Sequence, residues 1–163
     1  MTTTTAEPGV PLGPGTLKFG ATATAIDVSC NVNNAVISAE KDEGDSVTKL
    51  CGTVVPGAIS FTYTLSGNID TDIGSSTGFF AMTQAQAGAQ IPFDFEPNTD
   101  TGTSAAGTCV LVPLDFGGDE TTATMASDFE FTIVGAPTYT YGGTAATGGM
   151  GPAGTTADEP VAV

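Results

Sequence analysis

Separated stretches of this chain alternate apolar and polar side chains, and this period of two is the tightest constraint the sequence sets on its fold. Ile26, Val28, Cys30 and Val32 alternate with Asp27, Ser29 and Asn31, and Phe61, Tyr63 and Leu65 alternate with Ser60, Thr62, Thr64 and Ser66. The pattern recurs in Ile91-Pro92-Phe93-Asp94-Phe95-Glu96, in Val110, Val112 and Leu114, and in Asp128-Phe129-Glu130-Phe131-Thr132-Ile133. Successive strand side chains point to opposite faces, so each run offers one face to a core and one to water, as in antiparallel sheets. Shorter candidate strands lie at residues 36–39, 47–54 and 138–141. The pattern predicts a mainly β chain, an antiparallel β-sandwich or barrel, and 22 glycines and 10 prolines supply the turns.

One segment departs from that period. Residues 76–88 open on Ser76 and Thr77, carry Ala, Met and Gln, set Phe79, Phe80 and Met82 to one side and end on Gly88. This predicts a single short helix flanking the sheets, capped by its Ser/Thr start. Residues 1–15 and 142–163 are rich in Gly, Thr and Pro and poor in apolar area. Ordering a residue costs about 1–2 kcal/mol, which such segments do not offset within one chain. The expected organisation is an extended N-terminal arm over 1–15, one domain over 16–141 and a Gly/Thr-rich C-terminal arm over 142–163. Both arms are expected to order only against neighbouring chains.

Charge narrows the function. Eighteen acidic residues stand against three lysines, Lys18, Lys41 and Lys49, for a net charge of −15, and arginine, histidine and tryptophan are absent from the sequence. The usual groups for gripping phosphate and shuttling protons near neutral pH are missing, so catalysis is not expected. Asp100-Thr101-Gly102-Thr103 matches the aspartic-protease tetrapeptide, but Glu96-Pro97-Asn98-Thr99 before it and Ser104-Ala105-Ala106 after it read as turn chemistry. The acidic clusters Glu40-Lys41-Asp42-Glu43-Gly44-Asp45, Asp70-Thr71-Asp72 and Gly117-Gly118-Asp119-Glu120 lack calcium-loop spacing and read as solvated loops, so no metal or cofactor is expected. Cys30, Cys51 and Cys109 form no paired motif and are expected to be buried thiols. Met1 to Ala6 lacks the basic and apolar regions of a secretory signal and no apolar run is long enough to span a membrane, so cytoplasmic synthesis without membrane partners is expected.

The pairs Asp94/Glu96 and Asp128/Glu130 each sit opposite a phenylalanine pair, Phe93/Phe95 or Phe129/Phe131. Thr or Ser would wet a sheet face without repulsion. An acidic face with no arginine therefore suits a surface to which an anion must not adhere.

The ordered segments Asp27-Val28-Ser29-Cys30, Lys41 to Gly52, Phe61-Thr62-Tyr63-Thr64-Leu65-Ser66-Gly67, Ile91 to Asn98, Phe116-Gly117-Gly118-Asp119 and Ser127 to Phe131 resemble major tail proteins of long, non-contractile-tailed bacteriophages. The resemblance spans roughly residues 16–137 and rests on the order and spacing of the segments. It implies a tail-tube fold of two packed antiparallel sheets with a flanking helix, in hexameric rings that stack into a tube around a tape-measure protein and end on tail-end proteins. The implied location is the virion tail after assembly in the host cytoplasm, with DNA passing through during ejection but not bound. On this resemblance Asp94, Glu96, Asp128 and Glu130 are expected to face the lumen. Glu40, Lys41, Asp42, Glu43, Asp45 and Lys49 are expected to form a stacking loop, beginning near residue 40, that reaches a neighbouring subunit. A tail terminator of the same fold, and a secreted or surface acidic β-sandwich that binds a ligand or calcium, are the alternatives.

Overall fold

The computed structural model describes residues 9–118 and 123–142, and the backbone of 144–147. Within them lie β1 (Thr16–Phe19), β2 (Ile26–Asp27), β3 (Val32–Glu43), β4 (Val47–Thr48), β5 (Val54–Val55), β6 (Ile59–Asp70), α1 (Phe79–Ala85), β7 (Gln90–Asn98), β8 (Thr103–Val110), β9 (Ala126–Ile133), β10 (Thr138–Tyr141) and β11 (Thr144–Thr147). The mainly β class with one short helix agrees with the alternation.

The antiparallel order is β2-β1-β7-β8-β9-β6-β3, with β10 on β8 and β11 on β10. β9 meets β8 at one position, Cys109 opposite Ile133, whereas β10 lies along Ser104, Ala105 and Ala106. The chain thus leaves β6 for β8 across the bend at 134–137, where Gly135 has φ 75°. Strands that change partner at a bend are how a sandwich turns its corner. One layer is β3-β6-β9, and the other is β2-β1-β7-β8 with β10 and β11.

The core fills from both layers and from the helix. β9 buries Ser127, Phe129, Phe131 and Ile133 and exposes the residues between them. The Phe19 ring lies 4.6 Å from that of Phe79 and 5.7 Å from that of Phe131, and Phe79 lies 6.2 Å from Phe131; Phe131 meets both Phe19 and Phe79 edge-on, as ring quadrupoles favour. Leu17, Leu65, Phe93, Phe95 and Cys109 belong to the same cluster.

Local chemistry moves several expected boundaries. The predicted strand over 26–32 is broken after Asp27 by a turn in which Val28 carbonyl accepts the N–H groups of Asn31 and Val32. β8 occupies Ser104-Ala105-Ala106, which read as a turn, and its inward positions are small. A Cβ on Gly107 would come 3.1 Å from the Phe93 ring, so the aromatics of β7 use that space. Beyond β8 the buried residues are Leu111 and Leu114, while Val112 is exposed, so the predicted strand over 110–114 is an irregular segment in shifted phase.

The helix starts three residues later than its Ser/Thr signal. Asp72 carboxylate accepts the N–H groups of Phe79 and Phe80, each at 2.9 Å, and so satisfies donors that a helix start leaves orphaned. Gly78 makes this possible, because a Cβ there would fall 1.7 Å from Asp72 Oδ2. Asp72 is therefore a helix-capping side chain rather than a solvated loop residue.

Cys109 is buried, but Cys30 and Cys51 are exposed, which corrects the expectation of three buried thiols. Residues 11–14 of the expected N-terminal arm are tied within one chain: buried Asn98 donates to Pro11 and Gly13 carbonyls at 3.1 Å, and Pro14 carbonyl accepts Thr99 N–H at 2.9 Å. The start of the expected C-terminal arm forms β11. Residues 1–8 and 148–163 of the two arms, and Asp119 and Glu120, lie outside the described residues.

Candidate assembly surface

β3 and β6 pair along their whole length, from Val32 opposite Ile69 to Glu43 opposite Ile59. β9 accompanies β6 only from Tyr63 to Asp70. The end of the hairpin, Glu40 to Glu43 against Ile59 to Thr62, therefore overhangs the sandwich as a two-stranded ribbon. The 44–58 excursion extends it further and folds back as the β4–β5 pair. Its neck is tight: Gly44 N–H donates to Ala58 carbonyl at 2.9 Å, and a Cβ on Gly57 would fall 1.8 Å from Gly44 carbonyl oxygen. At its tip Lys49 carbonyl accepts Gly52 N–H, with Gly52 at φ 84°.

This overhang is apolar without a core of its own. Ile59 and Phe61 continue the inward face of β6 past Leu65, but Leu65 is buried and Phe61 is 53% exposed. Val47, Leu50, Val54 and Val55 on the excursion are exposed as well. A two-stranded ribbon is marginal in water, and contiguous exposed apolar side chains mark an interaction site.

The stacking-loop residues are distributed over this overhang. Glu40, Lys41, Asp42 and Glu43 are strand residues of β3, so the loop begins at Gly44 rather than near residue 40. Lys41 Nζ pairs with Glu43 Oε2 at 2.5 Å on one face, among the described residues the one ion pair. Asp45 and Lys49 are exposed on the excursion. Charge on an edge strand discourages indiscriminate pairing, which explains a charged run within a regular strand.

The outward face of β3-β6-β9 carries Glu40 and Asp42 on β3, Asp70 on β6 and Asp128 and Glu130 on β9, as the register and alternation dictate. Neutral amides support it: Asn68 Nδ2 donates to Asp128 Oδ1 at 2.8 Å, and Asn33 Nδ2 donates to Asp70 Oδ1 at 3.1 Å. No lysine of the described residues projects from this face. Asp94 and Glu96 lie elsewhere, on β7 of the other layer, where Asp94 stands opposite Lys18. Lys18 also stands opposite Asp27, whose carboxyl is held below the usual range by the Ser29 hydroxyl and N–H. The structure does not bring the two acidic pairs onto one surface, although it buries Phe93, Phe95, Phe129 and Phe131 in one core.

The Asp100-Thr101-Gly102-Thr103 segment makes the β7–β8 turn, where Asn98 Oδ1 accepts Asp100 N–H at 2.9 Å and Gly102 has φ 60°. Among the described residues no group of three His, Cys, Asp or Glu side chains could hold a metal, and no helix is long and apolar enough to cross a membrane. The sequence reading missed the apolar residues of the overhang. Their signal was the β6 alternation running back to Ile59, longer than the strand that covers it.

No protein-family model and no curated protein matches the sequence. Among solved structures, a chain from the tail of an empty gene transfer agent particle, computed with helical refinement in C6 symmetry, aligns with a TM-score of 0.55 and 20% identity over 83% of this chain and 99% of that one. A chain from the virion of a native gene transfer agent particle aligns with a TM-score of 0.50 and 17% identity over 76% of this chain and 95% of that one. These likenesses establish the fold, an antiparallel sandwich of the kind found in that tail.

Proposed function

We propose that this chain is a non-catalytic structural protein of a phage-like tail tube, located in the virion tail, in which six copies close into a ring and rings stack. The observation that carries the reading is the β3–β6 overhang, whose exposed apolar residues belong to a fold that aligns with nearly the whole of a chain from a C6 tail. The overhang gains its burial from the next ring, and the long unpaired edge of β3 gains its partner from the neighbouring subunit.

In this reading the outward face of β3-β6-β9, with Asp128 and Glu130 joined by Glu40, Asp42 and Asp70, lines the lumen. Duplex DNA carries one charge per about 1.7 Å and is held by basic surfaces through counterion release. A wall of carboxylates supported by asparagines gives DNA nothing to bind, which suits passage during ejection. Asp94 and Glu96 project from the other layer beside Lys18 and fall outside this lumen assignment. A tape-measure protein inside the tube and tail-end proteins at its termini complete the proposed assembly.

Light scattering of the purified chain over a wide concentration series tests the reading. Growth from monomer to ring-sized and longer species is expected. A monomer at every concentration, with or without virion components, would refute it.

A further inference from the structure

The hairpin that carries the apolar overhang at one end borders an apolar groove at the other. That groove, of about 390 Å³, opens where β3 begins and is lined by Leu12, Pro14, Cys30, Val32, Phe95 and Pro97. It lies between the edge of β3 and the opposite layer, and among the described residues no strand closes it from the side of the unpaired edge.

We infer that this groove is the socket for a second copy of the chain: the β4–β5 tip of one subunit, with Val47, Leu50, Val54 and Val55, seats in the groove at the start of β3 in the next. The inference rests on the tube reading and deepens it by naming the receiving surface. Three features support this occupant. The tip is apolar and exposed, and the groove is apolar and open. Charge is complementary at the tip itself, where Lys49 is the one charged residue between Ser46 and Ala58. At the groove end stand Asp70, bonded to Asn33 on the rim, and Asp27, bonded to Ser29 in the wall. Finally, tip and groove are different surfaces at opposite ends of one hairpin. Their contact is head-to-tail and, without rotation to close it, propagates as an open stack.

The chain carries its own reporters for this contact. Cys51 sits on the tip and Cys30 in the groove wall, both exposed, while Cys109 is buried. The Thr53 hydroxyl, 3.3 Å from Cys51 Sγ, and the Thr53 N–H favour the thiolate there. The test is to treat assembled tubes with diamide, whose azo bond takes up the two electrons and two protons released as two thiols join. The products are read on a non-reducing gel and by mass spectrometry of linked peptides. Because each chain contributes one tip and one groove, Cys30–Cys51 linkage yields a ladder of dimers, trimers and longer chains. The ladder should collapse to monomer on reduction, and the linked peptides should pair Cys30 with Cys51.

Tubes that link Cys51 to Cys51, giving dimers alone, or that link nothing, would overturn the socket and leave the tube reading standing. A chain that forms neither rings nor tubes would overturn both.

Discussion

Replacing Phe131 by alanine separates the residues that hold the subunit together from those that hold subunits to each other. Phe131 is fully buried, and its ring contacts Phe19 at 5.7 Å, Phe79 at 6.2 Å and Phe129 at 5.3 Å, thereby linking both layers and the helix. Truncating a buried phenylalanine costs about 3–5 kcal/mol through lost transfer energy and the cavity left behind. The loss of three aromatic neighbours at about 0.5–1.5 kcal/mol per pair places Phe131 toward the upper end of that range. Against a total stability of about 5–15 kcal/mol the variant is marginal. With a urea slope of about 2 kcal/mol per molar, its unfolding midpoint should fall by roughly 2 M. Phe61→Ala is the control. Phe61 lies on the same face of β6 as Leu65, but it is 53% exposed, so its loss should cost the monomer under about 1 kcal/mol. Urea unfolding of both variants at a concentration where the chain is monomeric decides the matter. A Phe131→Ala shift below about 1 kcal/mol, or a Phe61→Ala shift as large, would refute the division between core and overhang.

Further perturbations test individual contacts. Gly78→Ala should displace the Asp72 carboxylate, orphan the N–H groups of Phe79 and Phe80, and cost about 1–3 kcal/mol, seen as faster amide exchange at those two residues. Cys30 and Cys51 should react at once with a thiol-directed dye, whereas Cys109, whose thiol burial pushes up to about 12, should react only on unfolding. Asp27→Asn should lower stability at neutral pH. Because the Ser29 donors depress the folded-state pKa of Asp27, its contribution is present above the usual carboxylate range and is lost as pH falls through that depressed value. The difference between wild type and variant should therefore vanish on acidification, as a pH series of unfolding midpoints would show.

The sequence was legible where one face of a strand carries large apolar residues. Phe129, Phe131 and Ile133 make β9 plain, and Phe93 and Phe95 do the same for β7. β8 was hidden because its inward positions include Ala105 and Gly107, which are small to admit the rings of β7. The helix boundary was hidden because its cap, Asp72, lies outside the segment that reads as helical, and the real signal was Gly78 beside it in space. The end of β3 was mistaken for a loop because Glu40 to Glu43 are charged, as an edge strand can be. Of the candidate surface, carboxylate identity was legible but grouping was not. Which strands share a layer depends on the partner change at 134–137, and this separates Asp94 and Glu96 from Asp128 and Glu130.

The central claim is that this chain builds a tube, and electron microscopy of the purified protein with three-dimensional reconstruction tests it most directly. The account predicts stacked six-fold rings, with the β3–β6 overhang buried between rings and Asp128 and Glu130 on the inner wall. Discrete particles without six-fold symmetry, or six-fold rings that leave the overhang in solvent and turn Asp128 and Glu130 outward, would contradict it.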